Sequence, residues 1–288
     1  MLLGISMNIK INQIGGLLGA RLEGIDFAQP LNDGIFEQIA DALYQHQVIS
    51  IPAMDMTVQQ HADIALFFGE PEHNATDQFG VDEEIPYLTV IDSDKGDRAD
   101  SWHCDETFLE YPPIINFLHG KIIPQHGGDT VFRSTTASYD ALSDKMKTLV
   151  CDLSAVHDYG HLYELGWRSG MPLGPMVGDA LVKGLIHSHP VVKTHPITQR
   201  QWLTVNETYT RFIEGLPPLE AEAILNMLFK HMQKPEFSYR HRWQVGDLLI
   251  WDQQAVQHYA VVDYTERRLV HRISALKYAS KYTGIKTA

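Results

Sequence analysis

The chain has 288 residues, 44% of them hydrophobic, so it can bury a sizeable core in one or two domains. Its formal net charge of −13 makes the surface acidic, which disfavours nucleic acid and anionic membranes as partners. The only two cysteines, Cys104 and Cys151, cannot build a disulfide framework, as is typical of a reducing compartment.

The chain start and its hydropathy argue against membrane insertion and secretion. No apolar run approaches the roughly 18 residues of a membrane helix. The opening MLLGISMNIK lacks the basic region and long apolar core of a secretory signal. Met1 and Met7 both remain open as the native start. We therefore expect a cytoplasmic protein.

The N-terminal third predicts helices and strands in alternation. Asn32 can cap a helix whose apolar residues recur at helical spacing, and residues 48–51 have the composition of a buried strand. Thr57 with Gln60 three positions later is a capping-box pattern for a second helix. Another strand is predicted at residues 87–91.

The rest of the chain predicts short strands with two helices outside them. One helix is expected around 138–150 with Ser143 as an internal cap, and the other over 218–232. The glycine-rich turn at 126–130 leads into a strand and is compatible with a simple hairpin. Further strands are predicted at 114–123, 202–206, 247–251 and 269–276. The pattern alone predicts a mixed α/β fold that is mainly β.

Two stretches are interpreted as lid-like insertions into a single domain that covers residues 1–288. Residues 70–100 are acidic and irregular, and their charges also suit an ordinary solvated loop. Residues 159–185 are rich in glycine, proline and aromatic residues, and they form a long connection for a compact domain.

The most informative segment is WHCDETF at residues 102–108. His103 and Asp105 lie two positions apart, so they face the same side if the segment is a strand. Cys104 between them then points away as a packed thiol. A distant histidine, His258, would complete a 2-His-1-carboxylate set, which leaves positions open on Fe(II).

Other residues compete for the same roles. His187 and His189 form a second His-x-His pair, but no carboxylate follows them at a useful spacing. Arg268 and Arg272 would share a strand face, and a guanidinium can grip a carboxylate through two hydrogen bonds. The alternative is that both are ordinary surface arginines without a role in binding.

At this point the sequence resembles the taurine dioxygenase (TauD/TfdA-type) family of Fe(II)/2-oxoglutarate-dependent oxygenases. The matching pieces occur in the order of the family and extend from residue 102 to residue 272. They are WHCDETF at 102–108, GGDT at 127–130, HPVVKTHP at 189–196, VNE at 205–207, WDQQAVQHYA at 251–260 and RRLVHR at 267–272. The resemblance implies a double-stranded β-helix, or jelly roll, flanked by helices.

The resemblance also implies a set of cofactors and the residues that bind them. Fe(II) would be held by His103, Asp105 and His258. The co-substrate 2-oxoglutarate would be held by Thr130 and Arg268, and O2 would be the oxidant. The reaction would oxidise a small anionic or amino-acid-like metabolite, most simply by hydroxylation, and release succinate and CO2.

Two arginines near Arg268 carry further expectations. Arg267 is a rival for the 2-oxoglutarate role, because this chain is one residue shorter than the taurine enzyme between His258 and the arginines. Arg272 is expected near the acidic group of the substrate.

Departures from the family pattern concern the substrate. Asn74 and Asp77 stand where the taurine enzyme has a histidine and a tyrosine, and Glu106 replaces an apolar residue. Because a carboxylate there would repel a sulfonate, we predict that taurine is not the substrate. The site is expected to include Asn74 and Glu106, and to be lined by Phe108, Tyr163 and Tyr209.

Other functional readings remain open at this stage. A jelly-roll protein could hold a metal or a small acid without turnover, and some members of the family desaturate or cleave their substrates. A small molecule is the expected partner, and the family habit suggests a homo-oligomer, a dimer or higher.

Overall fold

The structure is a computed structural model that describes residues 9–29, 31–73, 80–96, 99–161 and 185–278. The helices in these residues are α1 (Asp33–His46), α2 (Val58–Phe68), α3 (Thr135–Asp140), α4 (Asp144–Val150) and α5 (Pro218–Met232). The strands are β1 (Lys10–Gln13), β2 (Ala20–Glu23), β3 (Val48–Pro52), β4 (Gly69–Pro71), β5 (Gly80–Val81), β6 (Thr89–Asp92), β7 (Ile115–Ile122), β8 (Thr130–Ser134), β9 (Ser154–Asp158), β10 (Ile186–Pro190), β11 (Val192–Thr194), β12 (Gln201–Leu203), β13 (Thr210–Ile213), β14 (Ser238–His241), β15 (Asp247–Asp252), β16 (Val256–Ala260) and β17 (Leu269–Tyr278).

Local sequence signals set the starts of the first two helices. The side chain of Asn32 accepts a hydrogen bond from the Ile35 N–H at 3.1 Å, so the predicted cap of α1 is confirmed. Thr57 and Gln60 exchange both hydrogen bonds of the predicted capping box at the start of α2. These caps satisfy backbone N–H groups that have no partner inside the helix.

The single helix predicted over 138–150 is instead two helices. Ser143 lies in an extended conformation and accepts a hydrogen bond from the Met146 N–H at 3.3 Å, so it caps α4. A residue with extended backbone dihedrals interrupts a helix, and α3 therefore ends before it. The cap was recognised from the sequence, but its consequence for the preceding helix was not.

In the described part of the chain, the largest sheet has nine strands. Its order is β1-β2-β3-β15-β7-β17-β6-β5, and β4 also pairs with β17. A second sheet has the order β14-β8-β16. Because β7 and β8 belong to different sheets, the turn at 126–130 joins the two sheets, and the simple hairpin considered for it does not form.

Alternation along the central strand β15 gives each face of the large sheet its own core. Leu248 and Ile250 pack with residues of α1 and α2 on one face. Leu249 and Trp251 pack on the other face with Phe132 and other residues of the β14-β8-β16 sheet. The two sheets therefore lie face to face, with helices outside the larger one. The fold is mixed α/β and mainly β, as expected.

Other strands and helices form a third cluster beside these sheets. Residues of α3, α5 and the short strands β9, β11 and β12 make up its core. Several predicted strands exist with shifted ends: β6 begins at Thr89, and β12 ends at Leu203. Among the described residues, no helix has the length and apolar character needed to cross a membrane.

Two buried histidines lie between α2 and the large sheet. His61 Nε2 lies 3.1 Å from the carbonyl oxygen of Phe117, and His119 Nε2 lies 3.2 Å from that of Ala53. Burial lowers the pKa of His61 to about 3 and that of His119 to about 4. Both side chains are therefore neutral donors in the folded protein at neutral pH.

We predict that His61 makes the fold sensitive to acid. A histidine of the unfolded chain binds a proton below about pH 6.5, whereas folded His61 does not until about pH 3. Stability is therefore retained above pH 6.5 and lost as the pH falls, by up to about 1.4 kcal/mol per pH unit for this residue. In urea unfolding between pH 6 and pH 5, His61→Gln should reduce the pH slope of the unfolding free energy by about 1 kcal/mol per pH unit.

The exposed His126 supplies the matched control, and His126→Gln should leave that slope unchanged. An equal slope in wild type and His61→Gln would contradict the prediction.

Candidate active site

Three buried side chains form a group that could hold a metal ion. Nitrogen and oxygen atoms of His103, Asp105 and His258 all lie within 4.8 Å of one another. Asp105 Oδ1 is 3.1 Å from His103 Nε2 and 3.8 Å from His258 Nε2. In the described residues, this is the only group of three or more such side chains with this proximity.

A β-bridge places His103 beside His258, and Asp105 lies where the chain begins to turn after that bridge. His103 and His258 form an isolated antiparallel β-bridge, in which the backbone N–H of each donates to the carbonyl of the other, at 3.1 and 2.9 Å. The strand considered for His103 and Asp105 does not form. Glu106 has a φ of 55°, and the Leu109 N–H donates to its carbonyl at 2.9 Å, so the chain turns immediately after the bridge.

The two imidazoles are held in different ways. His103 Nδ1 is 2.6 Å from the carbonyl oxygen of Ser101, to which it can only donate, so Nε2 is the ring nitrogen directed towards Asp105. Burial, followed by the proximity of His103, lowers the pKa of His258 to about 3. A neutral imidazole with an available ring nitrogen is the metal-binding form of histidine.

The carboxylate of Asp105 is oriented by two groups of the large sheet. Its Oδ2 accepts a hydrogen bond from Asn116 Nδ2 at 2.6 Å and another from Arg272 Nη1 at 3.4 Å. Ser274 donates to the amide oxygen of Asn116 at 2.6 Å, which fixes the amide. Burial acts to raise the pKa of Asp105, but His258, His103 and Arg272 outweigh it and the pKa is lowered. The residue is therefore a carboxylate with Oδ1 towards the histidines.

The competing pair His187 and His189 is not arranged to hold a metal. His189 Nε2 lies 2.9 Å from the Thr107 carbonyl and 3.0 Å from the Leu109 carbonyl, and its Nδ1 accepts from Lys193 Nζ at 2.9 Å. Both ring nitrogens are thus engaged in hydrogen bonds. No group of three metal-binding side chains in the described residues includes this pair.

Cys104 lies between the proposed ligands as the expected packed thiol. It is buried, and its Sγ donates to the carbonyl oxygens of Val256 and Gln253 at 3.3 and 3.5 Å. Burial raises the pKa of the thiol well above its ordinary value. A protonated thiol that is held in this way is not a metal ligand.

A fully buried arginine joins the segments that carry the two histidines. Arg133 Nε donates to Gln257 Oε1 at 3.0 Å, and Gln257 immediately precedes His258. The guanidinium also lies 4.5 Å from the ring centroid of Trp102, which immediately precedes His103. Glu207 supplies the counter-charge and accepts from Nη1 at 3.1 Å.

Arg268 and Thr130 meet around one indole ring. Arg268 is buried, its Nε donates to the carbonyl of Gly128 at 3.1 Å, and no carboxylate of the described residues forms an ion pair with it. Gly128 has a φ of 70°, and a Cβ there would lie 3.3 Å from Arg268 Cδ. Trp243 donates its N–H to Thr130 Oγ1 at 3.0 Å, and the Arg268 guanidinium lies 5.5 Å from the centroid of that indole.

The rival Arg267 has a different environment. Its Nη2 and Nε contact the carboxylate of Asp92 at 2.7 and 3.1 Å, and 45% of its side chain is exposed. Asp94 lies 3.5 Å away and adds a second negative charge. Arg267 is therefore a neutralised surface residue, whereas Arg268 points inward.

The residues proposed for the substrate are only partly described. Arg272 is buried against Asp105, and burial together with Glu72 raises the pKa of Glu106 to about 8. The remaining described candidates form an aromatic cluster in which Phe108 packs against Tyr159 and Tyr209. Tyr209 also packs edge-on to His103, with 6.3 Å between the ring centroids. Asn74, Asp77 and Tyr163 lie outside the described residues.

Sequence reasoning missed three residues that support the site. Asn116 lies in an apolar strand, and a polar residue in such a run is a signal that was available. Arg133 and Trp243 are outside the recognised motif pieces, and no local pattern separates them from ordinary core or surface residues.

The chain resembles a group of characterised proteins along most of its length. The sequence profile of the family "Taurine catabolism dioxygenase TauD, TfdA family" matches residues 10–274. An alkylsulfatase of Acinetobacter baylyi is 31% identical over 276 residues, which cover 93% of this chain and 85% of that protein. An alpha-ketoglutarate-dependent sulfate ester dioxygenase of Pseudomonas putida is 31% identical over 280 residues, covering 93% and 90%. The solved structure of AAD-2 in complex with Mn(II) and N-oxalylglycine has a TM-score of 0.79 at 25% identity, covering 95% and 99%.

We predict that Glu207→Ala destabilises the protein and weakens divalent-metal binding. The change leaves the buried Arg133 without its counter-charge and should lower the unfolding free energy by about 2 kcal/mol. The dissociation constant for Mn(II), measured by calorimetry, should also rise, because Arg133 then holds Trp102 and Gln257 less firmly. Asp140→Ala removes the exposed ion pair with Arg200 and should cost less than about 1 kcal/mol without changing metal affinity. Equal effects of the two variants would contradict the prediction.

Proposed function

Because the chain belongs to the taurine catabolism dioxygenase TauD, TfdA family, we propose that it is an Fe(II)- and 2-oxoglutarate-dependent dioxygenase of a small anionic or amino-acid-like metabolite. The observation that carries the proposal is the buried group of His103, Asp105 and His258, together with the buried Arg268, which forms no ion pair with a carboxylate among the described residues. Two imidazoles and one carboxylate suit Fe(II) and leave coordination positions for a chelating co-substrate.

The position of Thr130 supports a co-substrate that reaches from the metal to Arg268. In the β8–β16 pair, His258 is opposite Phe132 and Ala260 is opposite Thr130. Thr130 is therefore two residues along β8 from the partner of His258, about 7 Å away, and it faces the same side. This separation suits a five-carbon keto-diacid whose keto-acid end chelates the metal and whose far carboxylate meets Thr130 and Arg268. AAD-2, whose structure is similar to this one, was solved in complex with Mn(II) and N-oxalylglycine.

Each protein group then has a definite task. Asn116 and Arg272 hold Asp105 with one oxygen towards the metal, and the bridge fixes the distance between the two histidines. Arg268 compensates the far carboxylate with its buried charge. When bound, Fe(II) and 2-oxoglutarate supply the oxidising chemistry, in which O2 is consumed, the substrate is hydroxylated, and succinate and CO2 are released. The protein binds and orients the reactants and keeps water away from them.

The two facing sheets also support a finer description of the fold. We propose a double-stranded β-helix formed by the large sheet and the β14-β8-β16 sheet, with the site between them. It would be a single dioxygenase domain with lid-like insertions around 70–100 and 159–185, and parts of both insertions lie outside the described residues. A homo-oligomeric assembly and a cytoplasmic location stay predictions from the sequence.

The substrate is proposed to be anionic and to differ from taurine. The relatives from Acinetobacter baylyi and Pseudomonas putida are named for sulfate esters, which carry a negative group that Arg272 could meet. Glu106 adds a buried carboxyl group next to that arginine. Because the pKa of Glu106 is raised to about 8, this carboxyl group is largely protonated at neutral pH and can donate a hydrogen bond to the substrate. The proposal that taurine is not the substrate therefore rests on the sequence departures at Asn74 and Asp77 and on the sulfate esters named for the two relatives. Hydroxylation is the proposed outcome, rather than desaturation or direct cleavage.

The co-substrate role is tested by an anaerobic titration. Adding 2-oxoglutarate to the Fe(II)-loaded protein should produce a weak visible charge-transfer band. Arg268→Ala should shift the midpoint about 30-fold or more, because a buried charge pair loses about 2–5 kcal/mol on truncation. Arg267→Ala should leave the midpoint unchanged, since that residue pairs with Asp92. If the wild-type protein gives no band and forms no succinate in air, the chain is a binding protein without turnover.

We predict that taurine is a poor substrate. With Fe(II), ascorbate and 2-oxoglutarate present, taurine should give no sulfite and no succinate above the uncoupled background. A panel of alkyl sulfates, phenoxy acids and amino acids, scored by succinate release, should contain a substrate that exceeds the background. Taurine-dependent sulfite release at ordinary enzyme concentrations would overturn this prediction while leaving the assignment as a dioxygenase intact.

A further inference from the structure

Trp243 lies between β14 and β15, outside every motif piece that the sequence analysis singled out. Its side chain is buried in the core between the two facing sheets, where His241 packs edge-on to it with 4.9 Å between the ring centroids. An indole in such a place could simply fill the core. Its contacts with Thr130 and Arg268 indicate a more specific role.

The indole N–H makes the Thr130 hydroxyl an acceptor in the hydrogen bond that they share. Trp243 Nε1 lies 3.0 Å from Thr130 Oγ1, and an indole nitrogen can only donate. Thr130 is therefore the acceptor in this bond and keeps its own hydroxyl hydrogen for another acceptor. Among the described residues, no acceptor for that hydrogen is found, so it is available to a ligand carboxylate.

The face of the same ring supports Arg268. The guanidinium carbon lies 5.5 Å from the indole centroid, within the range of a cation–π contact. Because Nε is bonded to the Gly128 carbonyl, the terminal nitrogens are the ones directed towards a ligand. One side chain therefore restrains both groups that are proposed to bind the far carboxylate of 2-oxoglutarate.

We propose that Trp243 is a positioning residue for 2-oxoglutarate. Its N–H sets the hydroxyl of Thr130 as a donor, and its ring face sets the plane of the Arg268 guanidinium. The inference rests on the proposed function, since it names a residue that acts on the same co-substrate through two others. A residue that only fills the core would need the volume of the ring but not the N–H.

The first test removes the N–H and keeps an aromatic ring. The dissociation constant for 2-oxoglutarate is measured by calorimetry on Mn(II)-loaded full-length protein, so that no turnover is involved. Trp243→Phe should weaken 2-oxoglutarate binding about tenfold, as for the loss of a hydrogen bond that serves a charged ligand. The dissociation constant for Mn(II) should be unchanged. The control Trp202→Phe alters another buried tryptophan, in β12, and should change neither constant.

The second test asks whether the N–H acts through Thr130. Thr130→Val should weaken 2-oxoglutarate binding by itself, and Trp243→Phe added to it should weaken binding little further. Full additivity of the two changes would overturn the proposal, as would a Trp243→Phe protein with wild-type affinity.

A separate variant tests the link without touching the indole. Thr130→Ser keeps the hydroxyl that accepts the N–H and should retain affinity close to wild type, so the proposal remains testable if Trp243→Phe does not fold. A tenfold loss in Thr130→Ser would contradict it. Wild-type protein that binds no 2-oxoglutarate at all would instead refute the proposed function, which is seen before any variant is compared.

Discussion

Two backbone hydrogen bonds between His103 and His258 are the constraint on which the site depends. They tie together segments that are remote in sequence and leave the imidazole centroids 4.1 Å apart. Two rings so close in a buried place cannot both be charged at low cost, and burial lowers the pKa of His258 accordingly. The bridge therefore fixes a geometry and a protonation state together, and both favour a bound cation.

The charges around this bridge divide into a compensated and an uncompensated set. Burial acts to lower the pKa of Arg272 on β17, but the adjacent Asp105, together with Glu106 and Glu72, outweighs it and the pKa is raised. Arg268, four residues earlier on the chain, is buried without an ion pair among the described residues. A buried guanidinium that has hydrogen-bond and ring contacts but no ion pair is costly, and this supports a ligand of opposite charge at Arg268. This contrast supports the proposal that Arg268 binds the co-substrate, whereas Arg272 orients Asp105.

Most of the local structure was readable from the sequence, because the signals lie within a few residues. The caps at Asn32 and Thr57 and the apolar period of α5 are of this kind. The strand considered for His103 and Asp105 does not form, because the chain turns at Glu106, whose positive φ no residue type in this segment requires. The prediction of one helix over 138–150 failed because a residue that caps one helix also ends the helix before it, and this second consequence was not drawn.

The site was predicted where its chemistry is local to a motif and missed where it depends on tertiary contacts. The identities of His103, Asp105 and His258 followed from the resemblance, and the structure brings these three side chains together. Asn116, Arg133 and Trp243 act by supporting other residues across sheet contacts, and their partners are far away in sequence. No pattern within a window of residues carries that information.

Two of the residues proposed for the metal and the co-substrate, His258 and Thr130, lie on the paired strands β16 and β8. Asp105 and the substrate candidate Glu106 lie on the turn that follows the bridge. Substitutions in a turn leave the register of the sheets unchanged, whereas substitutions in a paired strand can disturb it. The resemblance to the taurine enzyme is also weakest at these substrate positions. We therefore expect that sequence divergence at Glu106 can alter the choice of substrate without disturbing the strands that carry His258 and Thr130.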